Sequence, residues 1–321
     1  MSKITIIVAL VFLLTIGGVS AGSDFANTEI TCNDSEQTLR DKDTAGITFD
    51  GLHVYVGYRQ ITGINQNPVV TAFSALTGER VFCREDYEQA GVDGRARGVH
   101  TDGTSLYVYF SLDGGITGGP LLSAANGNQQ NWTRSVGAGA SSGNFAVVAR
   151  IDPTAGDVTG AAFLTAVLNN GNPNSLGVDG FQCTVEGRVR VRADSFFGPR
   201  RVNGSRMTQT GGGSSPFDYT VDLTADLEQV TYAFAPQWQA DGTSATVTAC
   251  PNSALGSIGV PLAATDVVAD GRITPRDVVF VVNRVGQSPN GGNGVADVDQ
   301  NGAITEADIN LVIDRLGIQL P

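Results

Sequence analysis

The dodecapeptide DVDQNGAITEAD at 297–308 sets oxygen donors at the intervals a calcium ion requires. Counting Asp297 as position one, Asp299 falls at three and Asn301 at five. Ala303 offers its backbone carbonyl at seven, Thr305 or a bound water serves nine, and Asp308 closes the loop at twelve. Gly302 stands at six, where the backbone must turn sharply. Ca2+ is a hard cation that takes roughly six to eight oxygens, and this spacing wraps them round one point. A degenerate copy, DVVADGRITPRD, lies at 266–277. There Asp266, Asp270 and Asp277 hold positions one, five and twelve, Arg272 supplies the carbonyl at seven, and Thr274 stands at nine. Val268 replaces the oxygen donor at three. Affinity follows ligand charge and number, so the first loop is expected to be the weaker. One Ca2+ is expected and two are possible.

The elements that must position these loops repeat with them. After the first loop, Val278, Val281, Val282 and Val285 fall at the i, i+3, i+4, i+7 spacing of an amphipathic helix; after the second, Ile309, Val312, Ile313 and Leu316 do the same. Thr274 and Thr305 sit at the helix N-caps, with Asp277 and Asp308 three residues on, as in a capping box. Gly286 and Gly317 mark the stops. GRITPRDVVFVVNRVG and GAITEADINLVIDRLG are thus one duplicated unit. This tandem EF-hand pair, over about 264–318, resembles a type I dockerin, in which a helix follows each loop and none need precede it. The resemblance implies a fold organised by two Ca2+ ions, a cohesin-like protein partner, and the company of secreted, often polysaccharide-active, chains. Positions ten and eleven, Pro275/Arg276 and Glu306/Ala307, depart from the small polar pair common at the partner-facing surface.

The rest of the chain of 321 residues is consistent with export. Lys3, the apolar run Ile4–Ile16 and Val19-Ser20-Ala21 read as a signal peptide over 1–21. The alternative, an uncleaved anchor, has a run short of the ~20 residues a span needs. No membrane span is expected after its removal, and the localisation expected is secreted or cell-surface. Four cysteines, Cys32, Cys83, Cys183 and Cys250, match no zinc or redox spacing. In an exported chain they favour two disulfides, with sequential pairing (Cys32–Cys83, Cys183–Cys250) the simplest of three connectivities; free buried thiols are the alternative. A formal net charge of −12 argues against a nucleic-acid partner.

Residues 22–250 read as a β-rich domain after an irregular lead-in to about 45, and 251–265 as a linker to the calcium module at 266–321. GITFDGLHVYV (46–56) resembles GVHTDGTSLYVY (98–109), and VVTAFSALTGERVF (69–82) resembles AVVARIDPTAGDVTG (146–160). LGVDGFQCTV (176–185) is a poorer third start. These are hairpins with Asp-Gly turns, repeated as sheet units. The expected fold is mainly β, either a β-sandwich or propeller-like repeated hairpins, with a Gly/Ser-rich insertion loop at 111–144 carrying Trp132.

A catalytic constellation is not legible. Gly139–Gly143 matches G-x-S-x-G but sits in Gly/Ser-rich sequence, and both histidines, His53 and His100, precede it. Glu79, Glu85, Asp86 and Asp102 are candidate acids that sequence cannot bring together. Arg188, Arg190 and Arg192 alternate with Val189 and Val191, which puts three guanidiniums on one strand face. That stripe would suit an acidic glycan or the acidic module of a neighbouring molecule; the alternative is a solvated face paired with local Asp and Glu. The leading expectation is a non-catalytic extracellular binding or assembly protein attached through its C-terminus to a partner, a surface or a neighbouring subunit in a head-to-tail fibre. The alternatives are a polysaccharide-active hydrolase, or a glycan-binding protein using Trp132 or Trp238.

Overall fold

The computed structural model describes residues 23–88, 93–137, 143–248, 267–269, 272, 274–289, 291–298, 303–305, 308–309 and 312. The expected signal peptide at 1–21 and linker at 251–265 lie outside them. Strand accounts for 42% of the chain and helix for 12%, so the protein is mainly β, and its sheets are open.

Three antiparallel meanders follow one another along the chain. A short strand β1 (Ser23–Phe25) and helix α1 (Glu36–Asp41) come first. The first meander is β2 (Gly46–Phe49), β3 (Leu52–Gln60), β4 (Gln66–Ser74) and β5 (Arg80–Arg84). The second is β6 (Asp93–Thr101), β7 (Leu106–Asp113), β8 (Asn144–Ile151) and β9 (Val158–Leu164), with a helix α2 (Pro120–Ala125) between β7 and β8 and β1 added on the edge of β6. A ribbon of β10 (Ala166–Val167) and β11 (Pro173–Asn174) leads to the third: β12 (Leu176–Thr184), β13 (Val189–Ser195), β14 (Phe217–Leu223) and β15 (Val230–Phe234). Two short strands, β16 (Asp241–Gly242) and β17 (Val247–Thr248), extend its two edges beside β15 and β12.

The last hairpin of each meander is built alike. Its six-residue turn is closed by Ser74 N donating to Glu79 O (2.8 Å), Asp152 N to Asp157 O (2.8 Å) and Thr224 N to Gln229 O (2.9 Å). Each carries a bulge at the same place, between Ala72 and Phe73, Arg150 and Ile151, and Asp222 and Leu223. The left-handed turn residue is the fifth of the six in the first two, Gly78 (φ 70°) and Gly156 (φ 75°), and the fourth in the third, Leu227 (φ 67°). A leucine there carries a backbone strain of about 1–2 kcal/mol, held in place because its side chain is fully buried.

The first hairpins differ more. Asp50 (φ 47°) and Gly51 (φ 73°) form the expected two-residue turn, with Phe49 opposite Leu52. Asp102 instead anchors a longer loop, its carboxylate accepting from Thr104 N (2.8 Å) and Ser105 N (2.7 Å). The third Asp-Gly does not turn the chain. β12 runs straight through Asp179-Gly180 with a bulge there, and the Arg192 side chain occupies the space a Cβ on Gly180 would need.

The middle sheet is buried on both faces. Leu106, Val108, Phe110 and Leu112 of β7 join the core shared with the first meander, while Tyr107 and Tyr109 join the core shared with the third. The outer face of the first meander (Tyr55, Val69, Phe73) is covered by Ile30 and Leu39 from the lead-in, which is therefore ordered cover and not irregular chain. The Cys32–Cys83 disulfide ties that cover to β5 across 51 residues, worth about 4 kcal/mol in the chain-entropy account.

The connection expected as a loop at 111–144 is shorter and packed. Residues 111–113 belong to β7 and 144 to β8. Leu121 and Ala125 of α2 enter the first core. Gln130 pairs with both backbone groups of Val230, donating to its carbonyl and accepting from its N–H (2.7 Å each), so a side chain stands in for a strand partner.

One buried group is out of balance. Glu88 is 8% exposed, and neither carboxyl oxygen has a hydrogen-bond partner among the described residues. Burial, then the neighbouring Asp93 carboxylate, pushes its pKa up to about 8. A carboxyl raised in the folded state binds its proton there when the unfolded chain has already lost it. Stability should therefore fall as pH rises from about 4.5 to about 8 and level off above. Glu88→Gln is expected to flatten that slope and raise stability at pH 8 by on the order of a few kcal/mol, read from urea unfolding at several pH values.

Candidate metal centre

The first loop and its helix are locked together by one carboxylate. Thr274, in extended conformation, caps α3 (Pro275–Val282), its hydroxyl accepting from Arg276 N (3.3 Å). Asp277 returns the bond: its Oδ2 accepts from Thr274 N (2.8 Å) and from the Thr274 hydroxyl (3.1 Å). Its other oxygen accepts from Val268 N, nine residues upstream (2.9 Å). The position-twelve acid thus ends the loop and starts the helix at once. The second half repeats this, with Asp308 Oδ2 accepting from Thr305 N (2.8 Å) and from the Thr305 hydroxyl (3.4 Å).

Asp277 and Asp308 are fully buried and Asp297 is 8% exposed. Buried carboxylates demand a partner of opposite charge or strong donors, and a bound cation is the partner that both loops are spaced to hold. The residues present fit Ca2+: Asp297, Ala303, Thr305 and Asp308 would serve the second site, and Asp277 with the carbonyl of Arg272 and Thr274 the first. Asp266, Asp270, Asp299 and Asn301 lie outside the described residues. Bound there, the ion supplies a structural cross-link between loop ends. Val268, at the donor-free position three, is 38% exposed.

A small core unites the two halves: Val267, Val281, Ala296, Val298, Ile304 and Val312, with Val278, Phe280 and Ile309 packed against it. Gly286 (φ 77°) donates its N–H to Ile304 O (2.9 Å), which joins the end of the first unit to the second loop. The expected apolar stripe splits. Val278 and Val281 face this core, but α3 stops at Val282, and Val279, Val282 and Val285 are 57%, 47% and 41% exposed. Ile313 and Leu316 lie outside the described residues.

The other sequence candidates separate. The arginine face exists, since Val189 and Val191 are core and the arginines point away from it. Arg190, however, is buried in a two-pronged ion pair with Asp222 (2.6 and 2.7 Å) and also donates to Ser244 Oγ and Ala245 O. Arg188 donates to Thr243 O, and Arg192 stands 3.8 Å from Asp179. The pairing of β13 with β14 places Asp222 of FDYTVDL directly opposite Arg190, which the alternation of either strand alone does not reveal. Trp238 is 4% exposed and Trp132 donates its indole N–H to Val202 O (3.0 Å), so neither forms an exposed platform. His53 binds Glu36 (2.6 Å) beneath α1, and His100 is buried against Ser23 and Phe181. Cys183 is disulfide-bonded; Cys250 lies outside the described residues.

Residues 264–317 match the model of the dockerin type I domain family. A comparison with curated proteins found no match.

Supplying the missing donor tests the metal assignment. Val268→Asp is expected to tighten Ca2+ binding at the first loop about tenfold, since affinity rises with ligand charge, and to leave the second loop unchanged, as read by calorimetric titration of the calcium-stripped protein.

Proposed function

We propose that this chain, whose C-terminus is a type I dockerin, is an exported, non-catalytic assembly protein that is held through that module on a cohesin-bearing partner. Dockerin type I domains bind Ca2+ and support attachment to such a partner. The observation that carries the reading is the duplicated Thr-to-Asp lock beside two calcium loops, because it makes the helix face depend on the ion. Asp297, Asp299, Asn301 and Asp308 would hold the tighter Ca2+, and Asp266, Asp270 and Asp277 the weaker. Calcium fixes each loop end, the loop end fixes the helix start, and the helix presents its surface.

That surface is apolar where it faces out. Val279, Val282 and Val285 are exposed along α3 and after it, with Pro275 and Arg276 exposed at its start. Side chains of this kind, left uncovered on a small module, mark a protein interface. The bulky Pro275/Arg276 pair in place of small polar residues points to a partner with a matching recess.

Surface plasmon resonance against immobilised cohesin modules tests this. Calcium-dependent binding is expected, abolished by EGTA and weakened at least tenfold by Val282→Glu, a charge placed in an apolar contact. Binding to no cohesin, with calcium-dependent growth of the light-scattering mass, would transfer the partner role to a second copy of the chain. Binding to no cohesin with a constant monomer mass at every calcium level would overturn attachment altogether.

A further inference from the structure

A polar cleft opens where the middle and third meanders part, and none of its groups belongs to the calcium module. One wall is Arg97, Tyr109 and Ser111 of the middle sheet; the other is Val178, Asp179, Asp194 and Phe196 of the third. Asn144 N donates to Ser175 Oγ (3.1 Å) and ties the walls together. The space is about 290 Å3. Past Arg97 it runs on into a recess of about 210 Å3 lined by Asp93, Arg95 and Asp113. Arg97, Ser111 and Asn144 border both parts, so the two are continuous.

Two arginines set the character of this cleft. Arg95 and Arg97 stand two apart on β6, Arg97 at the bulge between Ala96 and Gly98, and both line the recess. Neither makes an ion pair among the described residues, although the protein carries a net charge of −12 and two aspartates line the same recess. Arg95 is instead oriented by neutral acceptors, Gln66 Oε1 and Asn27 Oδ1, and lies 4.8 Å over the Tyr58 ring. Arg97 reaches the Tyr109 phenol. Guanidiniums held by neutral groups keep their charge for a ligand.

The opposite wall presents acceptors and an apolar face. Asp194 faces Asp179 and Asp218, and burial, followed by those two charges, raises its carboxyl. Hydroxyl donors are the partners such carboxylates take without adding charge. Phe196, 40% exposed, and Val178 offer a surface for a ring's C–H face. Four aspartates around the cleft disfavour a dianion such as phosphate, while the arginines favour a single negative charge.

We propose that this cleft binds a carboxylated sugar residue, a hexuronate unit of an acidic polysaccharide. Its carboxylate lies on the Arg95–Arg97 side, its hydroxyls on Asp179, Asp194 and Asn144, and its apolar face on Phe196. The site is independent of the dockerin and of what that module binds.

Calorimetric titration of the full chain with digalacturonate, and separately with the neutral dimer galactobiose, tests it. The acidic dimer should bind saturably and at least tenfold more tightly than the neutral one, and its affinity should fall as salt rises. Arg97→Gln and Arg95→Gln should each weaken it about tenfold, Phe196→Ala about threefold, and Arg150→Gln, at the far end of β8, not at all; melting curves monitor folding. Equal binding of the neutral dimer, no binding of either, or salt-independent binding by the unaltered chain would each overturn the proposal. So would displacement of digalacturonate by free aspartate, which would make the cleft an amino-acid site.

Discussion

Burial of the five-stranded middle sheet on both faces is the constraint on which the rest of this structure depends. Its central strand has no solvent side, and β7 reads Leu-Tyr-Val-Tyr-Phe accordingly. A slip of one residue would exchange Leu106, Val108 and Phe110 with Tyr107 and Tyr109 between two cores of different shape. Register is therefore specified from both sides. The outer meanders each have one face in a core, and the first needs a lid for the other. The lead-in with Ile30 and Leu39 is that lid, and the disulfide to Cys83 keeps it closed.

The C-terminal module is a short segment of chain, and order there leans on more than burial. Among the described residues, six buried side chains form its centre. A short helix in such a module gains order from its cap and from the ion at its N-terminus, where the helix dipole and a carboxylate already agree. Asp277 serves both purposes with one side chain: three donors converge on it, two on Oδ2 and one on Oδ1, which leaves Oδ1 an acceptor site to spare. Asp308 repeats the arrangement in the second loop, accepting from Thr305 N and from its hydroxyl.

Much of this was legible in the chain, and the failures have physical causes. The hairpin repeats were visible because Gly78 and Gly156 mark the left-handed turn position that a six-residue hairpin requires. The third turn has no glycine at that position; its left-handed residue is Leu227, one place earlier in the turn, strained but buried. Asp179-Gly180 misled for the converse reason: a turn dipeptide was used as a bulge, beside a side chain that needs the room. The lead-in and the insertion looked like loops because their order comes from distant partners. Gln130 pairing with Val230 leaves no local periodicity to detect. The dockerin module was legible in the chain, since its loop-and-helix pattern is spaced by local sequence and not by the fold.

Arginine illustrates where the boundary between scaffold and site falls. The periodicity that singled out Arg188, Arg190 and Arg192 is real, but β13 lies between β12 and β14, and a central strand brings its neighbours' side chains within reach. Asp222 sits opposite Arg190 and takes its whole fork in a buried pair, so that guanidinium is spent on the sheet. Arg95 and Arg97 lie on β6 where β1 has not yet joined: pairing with β1 covers only Gly98 to His100. Past β1 the chain still follows that edge, with Ala26 N donating to Arg97 O (3.1 Å), but the side chain it brings to Arg95 is the neutral Asn27 and not a carboxylate. A charged side chain on a paired central strand tends to be neutralised by its cross-strand partner, whereas one on an edge beside a cleft keeps its charge for something from outside. Strand order, which no periodicity in a single sequence reveals, is what decides between the two.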